Sequence, residues 1–289
     1  MRIIGIHCGR QEIRGLACSS GGRVLNAARI AAEAEDGVLS RMQNIRSVIN
    51  MLAQENTDVR AVGIVCPGRI DPHSGLISRT ALPGFLGTDL RDVAKGLLDV
   101  PVYAENSTAA ALLGEHWLGA ARDGKKTVLL ELDTEPQAAV FDRQRLRGVY
   151  YADEWGIERA GLSLPAFSRA LEEALGRSAC LEEYEDCFRR GDPRVVGVLR
   201  RFSADLAELV EAAVRREKPR RILFGGDLTV WFRSFLPFLE QELRTRCLSP
   251  VIETGRLGMN AGCLGAVRLC LDRLPARKEP SPEHAAAWK

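Results

Sequence analysis

Three short runs of alternating apolar and polar residues stand near the N-terminus: RIIGIHC (2–8), EIRGLAC (12–18) and RVLNAARI (23–30). The turn-forming segments GRQ and SSGG separate these runs. Alternation bounded by turn residues is typical of β-strands joined by tight connections. The first thirty residues therefore predict three consecutive strands.

The same arrangement occurs a second time near the middle of the chain. TVLLEL (127–132), QAAVFD (137–142) and RLRGV (145–149) form another set of three short runs. A nearly unbroken apolar run at 59–66 predicts a buried parallel strand after the first set, and the segment 220–224 predicts another after the second. This repeat predicts two similar α/β lobes with a cleft between them, and small ligands usually bind in such clefts.

Apolar residues recur at helical spacing in the segments between the strands. The clearest case is 37–54, with apolar residues at 38, 39, 42, 45, 48, 49 and 52. Helices are predicted for 37–54, 89–98, 108–121, 164–176, 180–190, 193–216, a segment after Gly226 that ends near 246, and 259–274; further strands are predicted for 100–104 and 250–253.

The repeat also predicts the domain boundaries. We expect an N-terminal lobe of residues 1–118, completed by a C-terminal helix at 258–274, and a second lobe of residues 119–257. Residues 275–289 contain three prolines and lack apolar periodicity, which predicts a disordered tail.

Composition excludes several classes of protein. The 289 residues contain 40 basic and 38 acidic side chains, and a net charge of +2 argues against a nucleic-acid partner. The longest charge-free stretch, 257–267, is far shorter than the ~18 apolar residues of a membrane span. A secretory signal is not visible. The eight cysteines include no C-x-x-C pair and are expected to be mostly free and buried, which fits a reducing cytoplasm.

Six segments of the chain contain glycine, proline or asparagine at spacings that form short motifs. They are IGIHCGRQEIR (4–14), AVGIVCPGRIDPHSG (61–75), LPGF (82–85), VYAENSTAAALLGE (102–115), LFGG (223–226) and NAGCLGA (260–266). In this order they resemble the motifs of the ROK family of bacterial sugar kinases and sugar-responsive repressors. The resemblance implies an α/β protein with two ribonuclease-H-like lobes of the actin-like, hexokinase-like ATPase fold and a central cleft.

The resemblance also implies where ligands would bind. A sugar or sugar derivative is the expected ligand, and a homodimer is the expected assembly. The implied substrate-binding residues are Glu105, Asn106, Gly84 and Glu154, and the implied nucleotide-binding residues are Gly9, Thr134, Gly225 and Gly226.

The position of the family's catalytic aspartate is occupied by Ser107. In kinases that resemble this chain, the aspartate takes a proton from the sugar hydroxyl during phosphoryl transfer. A serine hydroxyl has no useful basicity near neutral pH. We therefore expect the protein to lack the rate acceleration of about 10²–10⁴-fold that general-base catalysis supplies. Because Ser107 precedes a predicted helix, we interpret it as the N-cap of that helix.

The two phosphate hairpins also depart from the family pattern. The first has His7 in place of an aspartate, and the second reads LDTEPQAA (132–139) where the family has G-T-G-x-G-G-G. Asp133 and Glu135 would place negative charge where a triphosphate should lie, and Pro136 removes a backbone donor. Near Glu154 the family's histidine and cysteines are missing, so no structural zinc is expected.

These observations leave three functional hypotheses. The favoured one is a catalytically inactive, sugar kinase-like protein that acts in ligand binding, regulation or scaffolding. The second is an active sugar kinase that uses ATP and Mg²⁺ and takes another carboxylate as its base: Asp153, Glu154 or Asp133. The third is a sugar-responsive repressor, which is disfavoured because the first strand leaves no room for an N-terminal winged helix.

Overall fold

The computed structural model of the protein describes residues 1–33, 36–55, 58–133, 135–157 and 160–275. The strands are β1 (Arg2–Cys8), β2 (Glu12–Ser19), β3 (Val24–Ala31), β4 (Val59–Cys66), β5 (Arg69–Ile70), β6 (Ile77–Arg79), β7 (Val102–Asn106), β8 (Thr127–Glu131), β9 (Gln137–Asp142), β10 (Arg145–Tyr151), β11 (Arg221–Gly225) and β12 (Ile252–Thr254). The α-helices are α1 (Val38–Gln54), α2 (Ser107–Leu118), α3 (Leu164–Leu175), α4 (Leu181–Arg189), α5 (Pro193–Glu217), α6 (Phe232–Thr245) and α7 (Ala261–Arg273).

Two five-stranded sheets of the same topology organise the chain. The first has the order β3-β2-β1-β4-β7, and the second has the order β10-β9-β8-β11-β12. In each sheet, three antiparallel strands are followed by two strands that run parallel to the first one. The repeated pattern of the sequence therefore corresponds to a repeated sheet.

Each sheet has its own hydrophobic core. In the first core, the apolar face of α1, including Ile45, Val48 and Ile49, packs against Ile4 and Ile6 of the central strand β1. In the second core, side chains of α3, α5 and α6 cover the apolar face of β8, β9 and β11. These core positions follow the 3.6-residue helix period and the two-residue strand period of the sequence.

The last helix, α7, belongs by packing to the first sheet although it follows the second sheet in the chain. It packs on β1, β4 and α2. A Cβ atom at Gly5 would overlap the carbonyl oxygen of Cys263, and one at Gly265 would overlap the carbonyl oxygen of Ala110. The backbones can approach so closely only because these positions are glycine. On this packing we propose the domain division expected above, with residues 258–274 completing the first lobe.

Some element boundaries differ from expectation. The segment predicted as a helix at 89–98 forms only a short 3₁₀ helix, Leu90–Ala94, and Gly96 has a positive φ of 73°. The helix α2 ends at Leu118 rather than 121, because the buried Glu115 carboxylate accepts the backbone N–H of Ala120 at 2.7 Å. Of the expected disordered tail, residues 276–289 lie outside the described residues.

The glycine contacts of α7 predict a large and local cost of substitution. Gly265→Ala should reduce the free energy of unfolding by at least about 3 kcal/mol, because the methyl group has no space beside Ala110. Gly197→Ala, in the second turn of α5 with nothing within 4 Å of its added Cβ, is the matched control and should stabilise by about 0.5–1 kcal/mol. Urea unfolding measures both values, and equal effects would contradict the close-packing account.

Candidate functional site

A cavity of about 580 Å³ lies between the two sheets. Its lining includes Gly9 from the β1–β2 turn, Ser107 at the start of α2, Gly225 and Gly226 at the end of β11, and Gly262 of α7. The carboxyl ends of parallel strands are the usual position for ligands in such sheets. The structure thus brings together four residues singled out in the sequence: Gly9, Ser107, Gly225 and Gly226.

A second, much smaller cavity of about 10 Å³ adjoins the first. Pro67, Ser107, Glu131 and Asp133 line both cavities. The small cavity is completed by Ala81, Thr108, Glu135 and Gln137. We call it the inner cavity.

Ser107 does not cap α2, so the N-cap interpretation was wrong. The cap is Asn106, whose side-chain oxygen accepts the N–H of Ala109 at 2.9 Å. Asn106 is the last residue of β7 and pairs with Cys66 of β4, which holds its backbone extended as an N-cap requires. Ser107 is the first residue of the helix, 4% exposed, and lines both cavities.

The polar atoms of Asn106 all have partners within the protein. Its amide nitrogen donates to the carbonyl oxygen of Gly68 at 2.6 Å and to the side-chain oxygen of Gln137 at 2.8 Å. Together with the cap to Ala109, these contacts use both hydrogens and the oxygen of the amide. A ligand would therefore have to replace one of these hydrogen bonds.

Glu105 and Gly84 lie away from both cavities. Glu105 accepts the backbone N–H of Asn106 at 2.9 Å, lies 3.8 Å from Arg273 at the end of α7, and has its pKa raised by burial. Gly84 has a φ of 74° and its α-carbon faces Val38 of α1. In this arrangement Glu105 holds α7 to the first sheet, and Gly84 shapes a turn.

Ion pairs close the cleft beside the inner cavity. Glu154 is bound to Arg69 at 2.5 Å and also accepts the N–H of Tyr151 at 2.8 Å. Arg79 pairs with Glu135 at 3.2 Å and with Asp153 at 3.0 Å, and its guanidinium lies 3.8 Å from the ring centroid of Tyr151. These pairs join the β5–β6 hairpin to the segment around β9 and β10. Thr134 lies outside the described residues.

The larger cavity, which we call the outer cavity, is lined by the carboxyl groups of Glu131, Asp133 and Asp227, of which only Asp133 was singled out from the sequence. Burial and the nearby Asp133 raise the pKa of Glu131 to about 8, and burial and Asp227 raise the pKa of Asp133 to about 6. Glu131 and Asp227 were missed. The alternation L-E-L-D at 130–133 was the available signal for Glu131, because it places Glu131 on the same side as Asp133.

The outer cavity carries charges of both signs, since Arg10 and Arg14 line it together with Glu12, Asp133 and Asp227. Asp133 contributes negative charge, as expected, whereas the charge of Glu135 is compensated by Arg79. The nearby Arg14 already pairs with Glu12 at 2.6 Å. Burial lowers the pKa of His7 to about 4, so that this ring is neutral at physiological pH. Within the described ranges, no group of three His, Cys, Asp or Glu side chains is placed to hold a metal ion.

The repeated sheets and the cleft at their strand ends define the actin-like, hexokinase-like ATPase fold. The chain belongs to the ROK family, whose sequence profile matches residues 3–185. It is 26% identical to a beta-glucoside kinase of Klebsiella pneumoniae over 288 residues, covering 92% of this chain and 95% of the enzyme.

Solved structures share the fold. A ROK family glucokinase from Streptomyces griseus in complex with glucose and AMPPNP superposes with a TM-score of 0.78 at 20% identity, covering 93% of this chain and 99% of that one. The ROK hexokinase from Thermus thermophilus gives a TM-score of 0.72 at 23% identity, covering 93% and 97%. In the described ranges, none of the helices combines the length and apolar character needed to span a membrane.

The raised pKa of Glu131 predicts a specific pH dependence of stability. The carboxyl of Glu131 releases its proton near pH 4.5 in the unfolded chain but only near pH 8 in the folded protein. Its contribution to stability is therefore complete below pH 4.5 and is lost as the pH rises through about 8. Glu131→Gln should therefore raise Tm by about 5 °C at alkaline pH and by much less in mild acid.

Differential scanning calorimetry across this pH range measures the effect. Glu173→Gln, at an exposed position of α3, is the control and should leave the pH profile unchanged. A Glu131→Gln profile parallel to that of the wild type would contradict the raised pKa.

Proposed function

We propose that this ROK-family protein binds a sugar or sugar derivative and does not transfer phosphoryl groups at an enzyme's rate. The observation that carries this proposal is Ser107. Its place in the cleft is where the family pattern has the catalytic aspartate, and its hydroxyl cannot accept a proton near neutral pH.

The acidic outer cavity supports the same conclusion. An ionised Asp133 or Asp227 would repel the phosphates of a nucleotide, and the repulsion is strong because the site is partly desolvated. Of the two arginines that line this cavity, Arg14 is paired with Glu12 and Arg10 is exposed at the β1–β2 turn. On this reading ATP and Mg²⁺ are not resident cofactors of the protein.

The proposed class of ligand comes from the relatives. The related chain from Klebsiella pneumoniae is named a beta-glucoside kinase, and the structurally similar glucokinase holds glucose. Sugars of this kind are the first compounds to test. The homodimer and the cytoplasmic location expected from the sequence stay predictions, as does the expected lack of a structural zinc.

The second candidate function is an active sugar kinase with a different base. Of the three carboxylates considered for that role, Asp153 and Glu154 are engaged by Arg79 and Arg69. Asp133 shares both cavities with Ser107, and its pKa of about 6 lies in the useful range for a general base. Glu131 also lines both cavities, but with a pKa of about 8 it is mostly protonated at neutral pH, which makes it the weaker base of the two.

A phosphorylation assay distinguishes the two functions. Wild-type protein with ATP, Mg²⁺ and a panel of glucose, β-glucosides and N-acetyl amino sugars should show turnover far below the ordinary range of about 1–10³ s⁻¹. Ser107→Asp should raise the rate by about 10²-fold, because it restores a base at the family position. Ser78→Asp, at an exposed position of β6, is the control and should change nothing.

Ordinary turnover by the wild type would overturn the proposal. Loss of that turnover in Asp133→Asn or Glu131→Gln would then identify the base of the second candidate. Thermal shift with the same sugars tests binding separately, since a ligand that binds only the folded protein raises its apparent stability.

A further inference from the structure

Gln137 reaches from one half of the protein into the other. It is the first residue of β9 in the second sheet, and it is 4% exposed. Its side-chain oxygen lies 2.8 Å from the amide nitrogen of Asn106 and 3.2 Å from the hydroxyl of Thr108. Those two residues join β7 of the first sheet to α2.

The surrounding hydrogen bonds determine how these amides are oriented. The oxygen of Asn106 accepts the N–H of Ala109, so its nitrogen must face Gly68 and Gln137 as a donor. Gln137 must then present its oxygen to Asn106. This oxygen occupies a position where a hydroxyl oxygen of a bound ligand could accept the hydrogen bond from Asn106. The single hydroxyl hydrogen of Thr108 is shared between Gln137 and the closer carboxyl of Glu131.

Gln137 is one of the residues that line the inner cavity, and its buried side chain takes up space at this end of the cleft. At about 10 Å³ the inner cavity has room for no more than one water molecule. The sequence places Gln137 within the hairpin segment that the family pattern fills with glycine, which has no side chain. A sugar ring cannot enter the inner cavity while Gln137 holds this position.

Ion pairs reinforce the same closure. Arg79 bridges to Glu135 and Asp153, and Arg69 bridges to Glu154, across the same two parts of the chain. Because these pairs are partly exposed, each contributes little alone. Gln137 is the buried contact between these two parts of the chain, and its hydrogen bonds are shielded from water.

We propose that Gln137 is an internal plug that determines access to the inner end of the cleft. Its amide takes the place of a ligand hydroxyl at Asn106, and an uncharged polyhydroxyl ligand must displace it to bind there. The class of ligand rests on the proposed function, whereas the plug itself rests on the contacts of Gln137. The apparent affinity for the ligand equals the intrinsic affinity multiplied by the fraction of molecules in which the plug is displaced.

The test compares three variants by isothermal titration calorimetry with glucose and β-glucosides. Gln137→Ala should raise affinity by about 10-fold, because it removes both the side-chain bulk and the hydrogen bonds that a ligand must replace. Gln137→Glu keeps an acceptor oxygen of the same reach and should give no gain. Gln241→Ala, at an exposed position of α6, is the matched control and should also give none.

Hydrogen exchange followed by mass spectrometry gives a readout that needs no ligand. Gln137→Ala should exchange faster than the wild type in the segments 67–80 and 102–110, which the plug holds against the second sheet. Arg79→Gln, which removes two of the reinforcing ion pairs, should speed exchange in 67–80 and raise sugar affinity by about 3-fold.

The outcomes separate the plug from the proposed function. Faster exchange in Gln137→Ala without sugar binding by any variant would support the plug and overturn the sugar as ligand. Equal sugar affinity in the wild type and Gln137→Ala would overturn the plug and leave the proposed function standing. Unchanged exchange in 67–80 and 102–110 would also overturn the plug.

Discussion

The backbone of α7 lies so close to β1, β4 and α2 that a methyl group at Gly5, Gly63 or Gly265 would overlap a carbonyl oxygen or a neighbouring carbon. The position of one wall of the cleft depends on this packing of α7. It brings the start of α7 beside His7 and makes Gly262 part of the cavity wall. The buried Glu115 extends it, since one carboxylate oxygen accepts the N–H of Leu257 and the other that of Ala120. The chain thereby closes on its first sheet after completing its second.

The cleft built on this frame has two ends with different character. The outer end is roomy and acidic: burial and the nearby Asp133 raise the pKa of Glu131, and burial and Asp227 raise the pKa of Asp133. The inner end is nearly filled by the protein's own side chains, including Gln137. A kinase needs room and donors at both ends, for phosphates and for a hydroxyl. The sequence departures at Ser107 and in the second hairpin therefore act together on one site, although they are about 25 residues apart.

Most of the fold could be predicted from local pattern. The short runs and turn residues at 2–30 and 127–149 predicted β1–β3 and β8–β10 within two residues. The burial of β1, β2, β8 and β9 on both faces does not follow from alternation and depends on helices that pack on either side. The helix expected at 89–98 and the N-cap expected at Ser107 were wrong. Asn106 and Ser107 are both good capping residues, and the choice between them depended on the pairing of Asn106 with β4.

The sequence by itself determined the repeated sheets, the glycines at close contacts and the replacement of the family's aspartate by Ser107, since each is a matter of residue type or of spacing along the chain. Only the tertiary structure decided which of the cleft's groups meet. Gln137 bonds to Asn106, Arg79 pairs with Asp153, and Asp227 raises the pKa of Asp133, across separations of 31, 74 and 94 residues. Contacts at such separations are set by how two sheets pack against each other, and burial there changes both the charge and the space that a ligand meets.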